Sequence, residues 1–355
     1  MRILVVRFRQ MGDAILATPL LSTLKKNFPD AEIDFVLNER IAPLFEGHPA
    51  ISRIITFTDK ERHAFFTYIR KVWRIVHQTR YDVIIDMRST VNTMLFGLFS
   101  LRSKYRVGIR KPYTLGIFNY RIEGCEDNES MIDHNLKLAE PVLDFQLSTL
   151  SSQRYERNLS LSITEEEKQD FHRYMEQQGI DFSRPVMLVG VTAKLEHKTW
   201  PEDRMIETLR RFMEAFPQWQ LIFNYAPGRE AENARRIYDA LGQNGNIFIN
   251  IEAPSMRKLA AMAANSTFYF GNEGGARHIV QAMGRPSLVI CSPGVSKTTW
   301  LPQDTDVLAV GIDAESYDLI TVDRVWPELQ RFCQTLTNPK TQTLGSAAFT
   351  KATAD

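Results

Sequence analysis

The chain has 355 residues, a length that favours two domains of ordinary size. Its 44% hydrophobic and 24% charged residues describe a globular protein with enough apolar material for two cores. Three separated cysteines (Cys125, Cys291 and Cys333) exclude a disulfide framework and a paired-ligand zinc motif, and suit a reducing compartment. The formal net charge is +1, but residues 60–121 hold 13 Lys and Arg against Glu61, Asp82 and Asp86, so that segment alone is +10. Such an excess either attracts an anionic partner or forms a solvated face balanced by the rest of the fold. Met1-Arg2 runs straight into a strand with no signal-length apolar region, and the longest apolar run, 94–101, is too short for a bilayer. The expected location is cytoplasmic, with any membrane contact peripheral.

Residues 2–8 read as a buried strand, followed by a loop over 9–13. The next helix carries Leu20, Leu21, Leu24 and Phe28 on one stripe. Ile33, Phe35 and Leu37 alternate as a second strand, and 51–57 form a third. Phe65, Ile69, Val72 and Val76 mark a long amphipathic helix on a basic background. A strand at 81–86, an apolar helix near 91–100 and a short strand at 106–109 continue the alternation. This pattern predicts a largely parallel sheet with helices on both faces.

Ser148, Thr149, Ser151 and Ser152 interrupt the pattern, so the spacing predicts domains of 1–155 and 156–336 and a disordered tail over 337–355. Thr164 opens a helix through a capping box that ends at Gly179. Strands follow at 185–191, 219–225 and 248–251, with helices at 201–216 and 229–241. The stretch 266–302 organises the second half. A strand, Thr267-Phe268-Tyr269-Phe270, leads into Gly271-Asn272-Glu273-Gly274-Gly275. A helix from Ala276 then closes at Gly284, before another strand over 287–291. Three glycines in five residues predict a sharp positive-φ turn, with a helix N-terminus that favours phosphate. A strand at 306–312 and a helix at 322–336 complete an architecture of two doubly wound units with a cleft between the carboxyl ends of their strands.

Several polar residues fall in these loops. Asp13 is either a general base or the N-cap of the next helix. Lys198, just before Trp200-Pro201, either meets a diphosphate as a point charge or is an ordinary exposed lysine, and Thr192 and Lys194 share its loop. His278 either donates to a phosphate or packs as a core side chain. Glu230 either accepts from ribose hydroxyls or complements a helix dipole. The absence of GxGxxG after the first strand and of GxxxxGK[ST] argues against a dinucleotide dehydrogenase and a P-loop NTPase. Asp304-Thr305-Asp306 reads as a solvated turn, so no metal site is expected. The basic segment lacks a nucleic-acid recognition motif.

Taken in order, Arg7…Gly12-Asp13…Thr18-Pro19-Leu20, Lys198-x-Trp200-Pro201, Gly271-Asn272-Glu273-Gly274-Gly275-x-x-His278, Gly284-x-Pro286 and Ser292-Pro293…Trp300-x-Pro302 resemble glycosyltransferase family 9, the ADP-heptose:lipopolysaccharide heptosyltransferases. The resemblance implies the GT-B architecture, with two Rossmann-like parallel-sheet domains facing a central cleft. It also implies inverting, metal-independent transfer without a cofactor. Asp13 would be the catalytic base. Thr192, Lys194, Lys198, Glu230, Glu273, Gly274, Gly275 and His278 would bind an ADP-sugar donor. An anionic glycolipid acceptor would use the basic segment, for which Arg102, Lys104, Arg106 and Arg110 are the candidates. The family usually has Asp where Glu273 stands and Ser or Thr where Gly274 stands. A transferase or epimerase using another nucleotide-sugar, and a silent binding relative, are the competing expectations.

Overall fold

A computed structural model of the chain describes residues 1–8, 10–127, 129–146, 155–301 and 305–337. It divides into two compact units, Met1–Ser162 and Ile163–Asp355. The first unit ends beyond residue 155 because the segment after it is tied to the helix Thr18–Asn27. The Glu156 N–H donates to Thr23 Oγ1 at 2.9 Å and the Ser160 N–H to Thr18 Oγ1 at 3.0 Å. Ser148, Thr149, Ser151, Ser152, Pro302, Asp304 and the tail after 337 lie outside the described residues.

Unit one is a six-stranded parallel sheet of β1 (Arg2–Val6), β2 (Glu32–Asn38), β3 (Arg53–Phe57), β4 (Val83–Asp86), β5 (Tyr105–Ile109) and β6 (Tyr120–Ile122). Its order is β3-β2-β1-β4-β5-β6. Ile3 through Val6 and Ile33 through Leu37 are buried on both faces, as a helix-covered parallel sheet requires, so β2 does not present one wet face. The polar residue in that run, Asp34, is held by Arg53 and by the Tyr81 hydroxyl at 2.5 Å.

Unit two repeats the scheme with β7 (Val186–Gly190), β8 (Gln220–Phe223), β9 (Ile247–Phe248), β10 (Phe268–Asn272), β11 (Ser287–Ile290) and β12 (Ala309–Ile312). Its order, β12-β11-β10-β7-β8-β9, is that of unit one counted from its own first strand. The expected fold class is present in both units. Each sheet reverses its order once, between β1 and β4 and between β7 and β10. There the chain leaves neighbouring strands in opposite directions and opens a crevice at their carboxyl ends.

Local signals fix much of this. Thr164 forms the capping box with Glu167, Ser255 caps the helix Met256–Ala264, and Gly179, Gly242 and Gly284 end helices at positive φ. Three expectations change. The segment 9–13 is not all loop, since a short helix begins at Met11 and spans Met11–Ile15. In the helix Phe65–Gln78 the buried stripe is Tyr68, Val72 and Val76, while Phe65 points outward. In the glycine-rich turn only Gly271, at a φ of 136°, lies in the positive range that disfavours other residues. Gly274 is extended and Gly275 is helical.

Candidate active site

In unit one the loops after β1 and β4 flank the switch point. Asp13 is the third residue of Met11–Ile15, whose N-cap position is Gln10, so it is not the cap of that helix. Its carboxylate is buried and accepts from the Arg7 guanidinium at 3.0 Å. Arg7 also donates to the Met87 carbonyl at 3.0 Å, which ties the β1 loop to the β4 loop. A buried ion pair of this kind fixes the rotamer of the carboxylate.

The β4 loop is rigid for a local reason. Asp86, fully buried, accepts from the N–H groups of Arg88 at 3.0 Å and Ser89 at 2.8 Å. Burial raises its pKa, and these hydrogen bonds oppose the shift. Ser89 is held at a φ of 48°, and its hydroxyl accepts from the Ile109 N–H at 2.7 Å. Arg88 then donates to the Phe8 carbonyl at 2.7 Å and Lys111 to the Arg88 carbonyl at 2.9 Å.

Among the described residues, the cations beside the switch point include Arg7, Arg88 and Lys111, together with Arg110, which is exposed and paired with Glu123 at 2.7 Å. The other three acceptor candidates stand elsewhere. Arg102 and Lys104 precede β5, at the amino end of the sheet, where Lys104 lines a cavity with Met1, Asn27, Phe28 and Asp82. Arg106 is spent on the carbonyls of Ile117, Leu101 and Ser103 at 2.8–3.0 Å, which brace the chain around β5. Sequence reasoning weighed the whole basic segment and missed Arg88 and Lys111. The available signal was their position two residues beyond the ends of β4 and β5.

Among the described residues, Cys125, Glu129 and His134 are the group whose ligand atoms come close enough for a metal, within 4.8 Å of one another. The Lys137 ammonium already sits 2.6 Å from Glu129 Oε1 and supplies the compensating charge there.

In unit two the loops after β7 and β10 converge. Asn272, fully buried at the end of β10, accepts from the Trp200 N–H at 2.7 Å and donates to the Gly190 carbonyl at 2.9 Å. Trp200 is itself fully buried, with its indole N–H on the Ile320 carbonyl at 2.9 Å. These bonds anchor the β7 loop, and two residues earlier Lys198 Nζ meets Glu273 Oε1 at 2.9 Å. Ser292, following β11, donates to the same oxygen at 3.1 Å. Close packing of β10 on β7 needs Gly271, where a Cβ would lie 2.4 Å from the Gly190 oxygen.

Thr192 donates to Glu230 Oε2 at 3.0 Å, and the Ala226 N–H donates to the same atom at 3.3 Å. Glu230 thus links the loops after β7 and β8. Lys194 is exposed, and its carbonyl accepts from Arg229 at 2.8 Å. The helix Gly275–Ala282 begins at Gly274, beside which there is open space for a side chain. His278 is buried on its second turn, and burial lowers its pKa well below the usual value. Its Nε2 lies 2.9 Å from Arg277, which can only donate, so the ring is neutral and carries its proton on Nδ1. That Nδ1 is buried without a protein partner. Arg277, also buried, donates to the Gln281 side chain and the Trp300 carbonyl at 2.8 Å each, and burial pushes its pKa down to about 10. Asn272, Arg277 and Ser292 are the residues of this loop cluster to which sequence reasoning gave no role.

The glycosyltransferase family 9 (heptosyltransferase) model matches residues 69–313 of the chain. Lipopolysaccharide heptosyltransferase 1 of Campylobacter coli is 22% identical over 303 residues, covering 82% of this chain and 83% of that protein. The structure of Escherichia coli ADP-heptose lps heptosyltransferase II is 21% identical with a TM-score of 0.72, over 93% of this chain and 98% of the other. An Escherichia coli heptosyltransferase with ADP-2-deoxy-2-fluoro heptose gives 0.69 at 17% identity, over 93% and 99%. These likenesses are of the GT-B fold.

Proposed function

The chain belongs to glycosyltransferase family 9, and from that premise we propose that it moves a heptose from ADP-heptose to an anionic inner-core lipopolysaccharide acceptor, with inversion and without a metal in the chemical step. Unit two holds the donor and unit one carries the acceptor and the base. Asp13 takes the proton of the acceptor hydroxyl as that oxygen bonds to the anomeric carbon. The bond from that carbon to the phosphate oxygen breaks, and ADP leaves with its electron pair.

Negative charge grows on the diphosphate during this step. Lys198, the Nδ1–H of His278 and the amides at the start of Gly275–Ala282 stabilise it. Thr192, Lys194 and Glu230 line the nucleotide side, and Glu273 and Gly274 face the sugar. On the acceptor side Arg88, Arg110 and Lys111 stand at the same end of the sheet as Asp13, and the bilayer that carries the glycolipid makes the contact with this protein peripheral. Among the described residues no helix is long and apolar enough to cross a membrane.

The observation that carries the reading is the meeting of Lys198, Glu273 and Ser292 from three loops at the switch point of unit two. The test is release of ADP from ADP-heptose in the presence of an inner-core acceptor, with a thermal-shift comparison of ADP-, GDP- and UDP-sugars. Stabilisation by a UDP- or GDP-sugar in preference to ADP-heptose would move the chain to another donor. Binding without ADP release would make it a silent relative.

A further inference from the structure

Among the described residues, ten of the twelve exposed large hydrophobic side chains lie in unit one, and three of them sit on one helix, Phe65–Gln78. Phe65 is 64% exposed, Phe66 84% and Trp73 52%. The helix buries its opposite face through Tyr68, Val72 and Val76, so these aromatics are not a displaced core.

Phe66, Arg70, Trp73 and His77 are spaced four, three and four residues apart, which sets them in one line along the helix. All four are exposed. The rings of Phe65 and Phe66 pack edge to face with centroids 5.5 Å apart, and Trp73 stacks on His77 at 4.2 Å. Arg74 is exposed beside the line. Residues 65–80 hold Arg70, Lys71, Arg74 and Arg80 and no acidic residue. Of these, Lys71 is occupied by Glu61 at 2.6 Å. The nearby helix Met94–Leu98 adds exposed Leu98, with Leu101 beyond it.

We infer that the outer face of Phe65–Gln78 docks on a bilayer surface carrying anionic headgroups. Aromatic rings and arginines also mark protein interfaces, but a run of four basic residues with no acidic one over 65–80 matches a continuous anionic surface. This face sets one guanidinium, Arg70, between aromatic rings on the line, with Arg74 beside it. Aromatic rings favour the boundary between headgroups and acyl chains, and arginines beside them meet lipid phosphates. The helix would lie flat, with Phe66 and Trp73 as wedges and Arg70 and Arg74 as the electrostatic contact. The inference does not depend on which sugar the enzyme transfers.

The experiment is co-sedimentation of the full chain with phosphatidylcholine vesicles, plain or with about 30% phosphatidylglycerol. The chain should bind the anionic vesicles and be released by salt. Reversing two charges in Arg70→Glu with Arg74→Glu should lower the partition constant at least about 20-fold. Phe66→Ser with Trp73→Ser should lower it about tenfold or more. Both double variants alter exposed positions, so their melting temperatures should match the wild type. Wild-type protein that stays in solution with anionic vesicles would overturn the inference, as would variants that bind as well as it does. A wild-type dimer in sedimentation velocity that Phe66→Ser with Trp73→Ser converts to monomer would also overturn it, and would assign the face to a second copy of the chain.

Discussion

Lys198 Nζ lies 2.9 Å from Glu273 Oε1, joining residues 75 apart in sequence. They meet because β7 and β10 are neighbours and both loops leave at the carboxyl end. The lysine proposed to hold the diphosphate is thus already paired with a carboxylate that repels it. Glu273→Gln should free the lysine and tighten bare ADP by about three- to tenfold, while slowing transfer of the sugar. Lys198→Ala should weaken ADP by about tenfold. Calorimetric titration with ADP checks both, and equal affinity across the three proteins would mean that the pair does not face the diphosphate.

Asp13 makes a sharper kinetic prediction. Asp13→Asn keeps an oxygen for Arg7 and should fold normally, with kcat lowered by about 10²–10⁴-fold and donor affinity unchanged. Arg7→Ala removes the partner of a buried carboxylate and should cost stability of about 3–5 kcal/mol. Urea denaturation compares the two: each leaves one buried charge uncompensated, and Arg7→Ala, which also loses the bond to the Met87 carbonyl, should shift the midpoint further. A near wild-type rate for Asp13→Asn would place the base elsewhere.

Two glycines of the β10 turn should respond in opposite ways. Gly271 has a φ of 136° and a Cβ there would meet the Gly190 oxygen at 2.4 Å, so Gly271→Ala should destabilise unit two by about 2 kcal/mol or more. Gly274 is extended and faces open space, so Gly274→Ser should be neutral within about 0.5 kcal/mol, its hydroxyl being able to cap the helix. Thermal melts of the two variants test the contrast. If Glu273 and Gly274 compensate for each other, Glu273→Asp should lose activity that Glu273→Asp with Gly274→Ser partly recovers, with a coupling of about 0.5–3 kcal/mol.

His48 should make the fold sensitive to acid. Its Nδ1 accepts from the Ala50 N–H at 3.2 Å and its Nε2 donates to the Ser160 hydroxyl at 2.9 Å, so a second proton would set two donors face to face. Burial pushes its pKa down to about 4 from 6.5. Between those values the unfolded chain binds the proton and the folded chain does not. Stability is therefore full above about pH 6.5 and falls as pH drops toward 4, by about 3 kcal/mol in all. His278, whose pKa burial also lowers well below the usual value, acts in the same direction. His48→Asn keeps an acceptor for Ala50 and should flatten the profile between pH 6.5 and 4.5 in chemical denaturation series; an unchanged slope would remove His48 from the acid response.

The fold was largely legible because parallel-sheet proteins write their elements locally. Buried strands are short apolar runs, helix ends carry Thr164, Ser255, Gly179, Gly242 or Gly284, and alternation of the two types dictates parallel pairing. The strand β6 and the helices Met131–Lys137 and Glu140–Gln146 were not foreseen. Phe65 was placed on the wrong face because a periodic stripe at a helix end cannot tell a core contact from an exposed ring.

The site divides in the same way. Sequence by itself determined that Asp13, Lys198, Glu273 and His278 follow strand ends, and motif order joined them to one family. It also determined a strong positive excess in residues 60–121. Only the tertiary structure decided which of those cations share an end of the sheet with Asp13, since Lys104 and Lys111 differ by one strand length and stand at opposite ends of β5. It alone paired Arg7 with Asp13, Lys198 with Glu273 and Thr192 with Glu230. Each pair depends on strand order or on a loop's path, and neither leaves a periodic trace in the chain, because hydrophobic patterning records which face is buried and not which strand lies alongside.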